Sequence, residues 1–268
     1  MRITRDLGGG HAWTLHEGVL DDGRRVFVKR SPDASAVLGS EAAGLHWLAE
    51  PGAVVVPEVI AADGGTLVLE WIDTAPATAV AAERFGRELA ALHAAGADGF
   101  GAPWPGYIAE LPMGNEPAPD WPSFYVSRRV LPFVRLARDR GALSAADVEL
   151  VEEACERVAE IAGPAEPPSR IHGDLWSGNL LWSADGVVLV DPAAHGGHRE
   201  TDLAMLALFG APHLNTILAA YREAAPLSDG WRERVPLHQL HPLAVHVCLF
   251  GEAYRGSLLT AAGDVLAL

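Results

Sequence analysis

The 268-residue chain has two cysteines, three methionines and only 7% aromatic residues, and its 20 lysines and arginines face 35 carboxylates, a net charge of −15. Each shortage excludes something. Cys155 and Cys248 are far apart and belong to no metal-ligand spacing, so neither a thiolate cage nor a disulfide scaffold is read. Two reduced, buried thiols of a cytoplasmic protein are expected instead. The deficit of basic residues argues against a grip on nucleic acid, which takes clustered Lys and Arg. It leaves room for a nucleotide, whose charge a few local groups and a metal can balance. No uncharged apolar run reaches the roughly 18–20 residues of a membrane span. The opening stretch Met1 to Gly8 lacks the apolar core of a signal peptide. A soluble, cytoplasmic, monomeric protein is therefore expected, bound to neither membrane nor nucleic acid.

What is present is apolar material, 49% of residues, in a length suited to one large domain or a bilobal pair. Residues 1–73 read as strands around one helix. Trp13 to Leu20 and Arg24 to Lys29 are β-prone runs joined by the turn signal Asp21-Asp22-Gly23. Leu38, Ala42, Leu45 and Leu48 give Ala36 to Glu50 a helical period, stopped by Pro51-Gly52. Val54 to Val56 and Thr66 to Ile72 complete a small sheet. Residues 74–268 read mainly as helices: Ala79 to Ala95, Trp121 to Arg140, Ser144 to Ala162, then 200–209, 213–225 and 236–262. Ser144 and Asp147 resemble a capping box. Residues 96–120 are rich in Gly and Pro and aperiodic, long for a loop without a function. The prolines of 163–169 mark a linker into short strands at 170–172 and 187–191. The order predicts an α+β, bilobal arrangement: a β-rich nucleotide-binding lobe over 1–73, a helical catalytic and substrate-binding lobe over 74–268, and a cleft between them for ligands.

The chemistry concentrates in Ile171-His172-Gly173-Asp174-Leu175-Trp176-Ser177-Gly178-Asn179. Asp174 and Asn179 are five apart across a glycine-containing loop, and Val187 to Asp191 is an apolar run ending in a carboxylate. Phosphoryl transfer needs a carboxylate to orient the attacking hydroxyl and accept its proton. It also needs an amide oxygen and a second carboxylate to hold Mg²⁺ against ATP phosphates. The spacing is that of a kinase catalytic loop followed by its metal-binding Asp. Upstream, Lys29 ends a β-run and Glu41 falls on the next helix, the order of a phosphate-binding lysine and the carboxylate that holds it. Gly8-Gly9-Gly10 stands where a phosphate-covering loop belongs, its glycines letting backbone N–H groups come close. Glu70-Trp71-Ile72 ends the last strand of the first lobe, where main-chain atoms would meet adenine.

Further candidates are less determinate. Trp176 reads as a wall for a ligand or as a core aromatic. His172 is expected beneath the loop, holding its shape by a hydrogen bond rather than moving protons. His195 and His198 stand either against the substrate or in a polar turn, and His93 reads as a core residue. Asp202 is either a brace for the catalytic loop or the N-cap of the next helix.

His172 to Asn179, followed by Asp191-Pro192-Ala193-Ala194-His195-Gly196-Gly197-His198-Arg199-Glu200, resembles the fructosamine kinase (ketosamine 3-kinase) family, within the aminoglycoside-phosphotransferase branch of the protein-kinase-like fold. Leu175-Trp176-Ser177-Gly178 and the Asp-Pro-Ala segment point to that family; His-Gly-Asp and the Asn belong to the wider branch. Matches at Val26 to Lys29, Val68 to Trp71, Trp121 to Tyr125 with Arg128, Tyr221 and Gly251 to Tyr254 carry the resemblance over nearly the whole chain. It implies ATP-dependent phosphorylation of the 3-hydroxyl of a ketosamine, free or protein-linked, whose unstable 3-phosphate releases the amine, a deglycation. By motif it makes Asp174 the base, Asn179 and Asp191 the Mg²⁺ ligands, Lys29 the phosphate contact, Glu41 its partner and Asp202 the brace. The alternatives are another small-molecule kinase of that branch, acting on an aminoglycoside or choline-like alcohol, and a nucleotide-binding pseudokinase.

Overall fold

In a computed structural model, which describes residues 1–9, 13–31, 33 and 35–268, the chain opens with three antiparallel strands, β1 (Arg2–Gly9), β2 (Thr14–Val19) and β3 (Arg25–Arg30). The helix α1 (Ser35–Ala49) and the strands β4 (Val59–Asp63) and β5 (Thr66–Glu70) follow, and the five strands form one sheet in the order β1-β2-β3-β5-β4. The β2–β3 turn closes as its sequence demands: Gly23 takes φ 90°, and Asp22 accepts from the Arg24 amide at 3.0 Å. Leu38, Ala42 and Leu45 of α1 pack on Leu67 and Leu69 of β5. Glu41 lies within that buried arc of the helix, at i+3 from Leu38, and is itself buried.

Two expectations about this region need correcting. The sequence places the glycines in a phosphate-covering loop, but Gly8 and Gly9 end β1, paired with Leu15 and Thr14. Gly10 and His11 lie outside the described residues. The expected strand at Val54 to Val56 is reduced to one parallel bridge between Val55 and Val188, and the strand proper begins at Val59. Pro57 lies between them and has no N–H for a ladder. The bridge has its own use: Val55 accepts from the Leu189 amide at 2.9 Å, joining the connection after α1 to the strand that leads into Asp191.

The remainder is mainly helical. After α2 (Ala79–Ala94), the segment read as a long loop carries a small hairpin, β6 (Gly106–Ile108) and β7 (Leu111–Met113). The helix α3 (Trp121–Phe124) runs through a π-helical turn, Tyr125–Val130, into α4 (Leu131–Asp139), and α5 (Ala145–Ile161) starts at the expected capping box, Ser144 and Asp147 each bonding the other's backbone amide. Next come β8 (Ser169–Ile171), the hairpin β9 (Leu180–Ser183) with β10 (Gly186–Leu189), β11 (His195–Gly197) paired with β8, then α6 (Arg199–Phe209), α7 (Leu214–Ala224), α8 (Val235–Phe250) and α9 (Arg255–Leu266). The expected single helix over 236–262 is two, because Gly251 turns to φ 66° and ends α8. The expected strand over 187–191 stops at Leu189, leaving Asp191 beyond it. Aliphatic side chains of α2, β9, β10, α6 and α7 form one core beneath the loop between β8 and β9. Cys155 and Cys248 are free and buried.

Candidate active site

The loop from His172 to Asn179 is held from below by one carboxylate. Asp202, wholly buried on α6, accepts from the amides of His172 at 2.8 Å and Gly173 at 2.9 Å. His93 Nε2 lies 3.2 Å from the same carboxylate, and His93 Nδ1 lies 2.8 Å from the Tyr221 hydroxyl. The N-cap of α6 is His198, so bracing is the role the structure gives Asp202. Gly173 has φ 81°, and a Cβ there would run into the Ala193 carbonyl. His172, fully buried, donates from Nε2 to the Val190 carbonyl at 2.9 Å and accepts from the Asp174 amide at Nδ1, 3.3 Å away. Burial lowers its pKa, and both ring nitrogens are occupied as the neutral ring requires.

Above this base the candidate side chains meet. Asn179 Nδ2 donates to the Asp174 carbonyl at 2.8 Å and to Asp174 Oδ2 at 3.1 Å, and reaches the Asp191 carbonyl at 3.4 Å. Asp191, just past β10, takes φ 52°, a left-handed conformation uncommon outside glycine. Its Oδ1 lies 2.5 Å from Lys29 Nζ, whose other carboxylate partner is Glu41 Oε2 at 2.8 Å. Lys29 and Glu41 are 2% and 7% exposed, so the pair is shut off from solvent except toward Asp191. Burial pulls the Lys29 pKa down, but the two carboxylates outweigh it and hold the ammonium charged. Burial first, and the charge of Asp191 second, push Asp174 up to about 7. Burial and Asp191 likewise raise Glu41, while Lys29 keeps Asp191 ionised.

Lys29, Glu41, Asp174, Trp176, Asn179 and Asp191 line one cleft of about 220 Å³. Trp13 and Tyr107 also line it, and the Trp13 ring centre lies 4.9 Å from Lys29 Nζ. Sequence reasoning missed Tyr107; its signal was the short β-prone Gly106-Tyr107-Ile108 inside an otherwise aperiodic stretch. A larger cavity, about 880 Å³, is lined by Trp47, Trp104 and Arg170 among others, and none of the candidate residues touches it. Convergence of chemistry, not size, marks the smaller one.

Other sequence candidates lie elsewhere. Glu70, Trp71 and Ile72 do not line the cleft; Trp71 lies under the Arg25 guanidinium, 4.5 Å away. Gly8 donates its amide to Asp6 Oδ1 at 2.8 Å, and a Cβ on Gly9 would come within 2.7 Å of the Trp13 carbonyl. His195 and His198 are buried, 3% and 5% exposed, and neither reaches the cleft. His195 donates from Nδ1 to the Ala193 carbonyl at 2.7 Å and accepts from Arg129 Nε at 3.2 Å. His198 caps α6 by accepting from the Glu200 amide and packs on Trp121, ring centres 4.8 Å apart. Trp176, 39% exposed, stands at the cleft rim and meets Phe209 at a steep angle, ring centres 6.1 Å apart.

With this geometry in hand, comparison with known proteins is decisive: the family described as fructosamine kinase matches residues 4–267. The chain belongs to that family. A probable ketoamine kinase of Thermus thermophilus is 33% identical over 256 residues, covering 94% of this chain and 93% of the relative. The chloroplastic protein-ribulosamine 3-kinase of Arabidopsis thaliana is 31% identical over 273 residues, 96% and 81% of the two chains. Among solved structures, one from Thermobifida fusca, named as a candidate fructosamine-3-kinase, has 54% identity and a TM-score of 0.95, covering 98% of this chain and 93% of that one. The fold extends further: aminoglycoside phosphotransferase APH(2'')-Ib, solved with ADP bound, gives a TM-score of 0.65 at 13% identity, over 99% and 93% of the chains. A small antiparallel sheet followed by a mainly helical remainder is thus the kinase-like architecture expected of a fructosamine kinase family member. Among the described residues, no helix is long and apolar enough to cross a membrane.

Proposed function

We propose that the protein transfers the γ-phosphoryl group of ATP to the 3-hydroxyl of a ketosamine. The observation that carries this reading is the junction of Lys29, Glu41, Asp191, Asn179 and Asp174, by direct contacts, in one cleft. The kinase homologues and the ADP-bound neighbour of the same fold support nucleotide use; the ketoamine and ribulosamine kinase names support the acceptor.

Asp174 is the proton acceptor. Its carboxylate is fixed by Asn179 Nδ2, and a pKa of about 7 makes it a better base than an ordinary surface carboxylate. It draws the proton from the sugar hydroxyl as the O–P bond forms and the bond to the bridging oxygen of ADP breaks. Lys29 neutralises the departing phosphates, and Glu41 keeps its ammonium aimed at the cleft. Asn179 and Asp191 offer amide and carboxylate oxygens, the hard donors that Mg²⁺ takes. Held by Asn179 and Asp191, a bound Mg²⁺ would offset the negative charge of the phosphates during transfer. Trp176 forms an acceptor wall. Residues 1–73 serve as the nucleotide lobe and 74–268 as the catalytic lobe, with Gly8, Gly9 and the strand end at Glu70 to Ile72 belonging to the first.

The test is ADP release with ribulosyl-lysine, fructosyl-lysine, kanamycin and choline, followed by NMR of the product to locate the phosphate. Turnover of a ketosamine with a 3-phosphate product is expected. Turnover of kanamycin or choline alone assigns the protein to another substrate class, and none with any acceptor leaves a nucleotide-binding module.

A further inference from the structure

The hairpin β6–β7, hidden in what the sequence presents as a loop, ends in the cleft. Its side chains alternate: Gly106, Ile108, Leu111 and Met113 are buried, whereas Tyr107 is half-buried and its cross-strand partner Pro112 is exposed. Ile108, Leu111 and Met113 belong to the large helical core, so the inner face is fixed by packing. The outer face carries Tyr107 to the cleft wall, together with Ala109 at the tip, which takes φ 48°.

The base of this hairpin is secured by a buried cation. Arg129 donates to the Gly114 carbonyl, to Asn115 Oδ1 at 2.8 Å and to His195 Nε2 at 3.2 Å. Asn115 in turn donates to the Trp104 carbonyl at 3.1 Å. His195 passes the connection to the Ala193 carbonyl, and Ala193 lines the same cleft as Tyr107. The hairpin is therefore referenced to the Asp191–Ala193 segment through hydrogen bonds rather than left as a free flap. Such wiring is what a residue that positions a ligand requires.

We infer that Tyr107 is a specificity-determining residue for the acceptor, its ring forming, with that of Trp176, the aromatic walls that hold an amine-bearing sugar over Asp174. This rests on the phosphotransfer reading of the cleft. Aromatic faces suit both halves of such a ligand: sugar C–H groups pack on them, and an ammonium is drawn to their π electrons. Lys29, the phosphate contact of that reading, comes from the first sheet, whereas Tyr107 comes from the helical part, which also supplies Asp174 and Trp176.

The experiment measures KM for ribulosyl-lysine and for ATP in Tyr107→Ala, Tyr107→Phe and Pro112→Ala. Tyr107→Ala raises the acceptor KM about tenfold, the worth of one aromatic contact, and leaves the ATP KM unchanged. Tyr107→Phe keeps the ring and keeps the KM. Pro112→Ala, on the same hairpin face but outside the cleft, behaves as wild type. An unchanged acceptor KM in Tyr107→Ala, a rise confined to ATP, or an equal rise in Pro112→Ala each overturns the inference. If the wild-type enzyme phosphorylates no ketosamine, it is the proposed function that fails, which separates the two.

Discussion

Lys29 Nζ and Asp191 Oδ1 lie 2.5 Å apart although 162 residues separate them in the chain. The contact ties the β3 strand of the first sheet to the segment that leaves β10, and Glu41 completes it from α1. One ammonium thus reads the relative position of three elements. A buried cation shared by two carboxylates is a strong constraint, because removing it leaves uncompensated charges behind.

Lys29 is also the only lysine in the sequence. An adenine nucleotide carrying an amine-reactive acyl phosphate should therefore label Lys29 and, apart from the terminal amine, nothing else on the chain. ATP should protect it. Peptide mass spectrometry reads the outcome, and labelling that ATP does not suppress would remove Lys29 from the phosphate site. Lys29→Met is expected to weaken ATP binding and cut turnover by about a hundredfold or more, as loss of a phosphate-directed charge does in a dry site.

Asp202→Asn tests the brace. Asp202 accepts from two backbone amides, and an amide side chain has only one oxygen, so its NH₂ would face a second N–H. Losing a charge-assisted bond of this kind costs about 3 kcal/mol. The unfolding free energy from urea titration is expected to fall by that amount, lowering the midpoint, with turnover falling as Asp174 loses its seat. Wild-type stability and activity in the variant would refute the brace.

His241 gives a pH dependence of stability with a definite sign. Its Nδ1 donates to the Arg129 carbonyl at 2.8 Å, and burial, with Arg129 nearby, holds its pKa down at about 3. The unfolded chain protonates this histidine near 6.5 and the folded protein does not, so stability is lost as pH falls below 6.5. Between pH 7 and 5.5 the loss from this one ring is about 1.2 kcal/mol. His241→Gln keeps a donor for the carbonyl and removes the titration. Its unfolding free energy should fall by that much less than the wild type's over the same interval; parallel pH curves for the two proteins would show that His241 is not held neutral.

The parts of this molecule that were legible in sequence are those whose physics is local. The turn at Asp22-Gly23, the Ser144–Asp147 capping box, and the Asp174–Asn179 spacing each complete their interactions within a few residues. β1 was not legible: it is an edge strand with mostly exposed side chains and two register shifts, held by backbone pairing that leaves no periodic apolar trace. The β6–β7 hairpin was hidden for another reason, since its strands have three residues each and its anchor, Arg129, is distant in sequence. Asp202 could be narrowed to two roles, but choosing between them required seeing that His198 takes the cap. His195 stands between two readings for a similar reason. Beside glycines and a catalytic segment it reads either as a substrate contact or as part of a polar turn, and the β8–β11 pairing turns it inward to bond Arg129 instead.

Asp174→Asn is the variant that separates binding from chemistry. The substitution preserves size, and Asn179 Nδ2 can still donate to the carbonyl of residue 174 and to a side-chain oxygen there, so the loop should keep its shape. It abolishes the proton acceptor, worth about 10²–10⁴ in rate for a positioned base. ATP affinity by titration calorimetry is expected to stay within a few-fold of wild type, because the phosphates would be answered by Lys29 and by the Mg²⁺ that the Asn179 and Asp191 oxygens would hold. Turnover of ribulosyl-lysine should drop by at least a hundredfold, with the acceptor KM little changed. A variant that turns over normally would mean that the sugar hydroxyl gives up its proton elsewhere, whereas one that loses ATP as well would place Asp174 among the nucleotide ligands rather than opposite them.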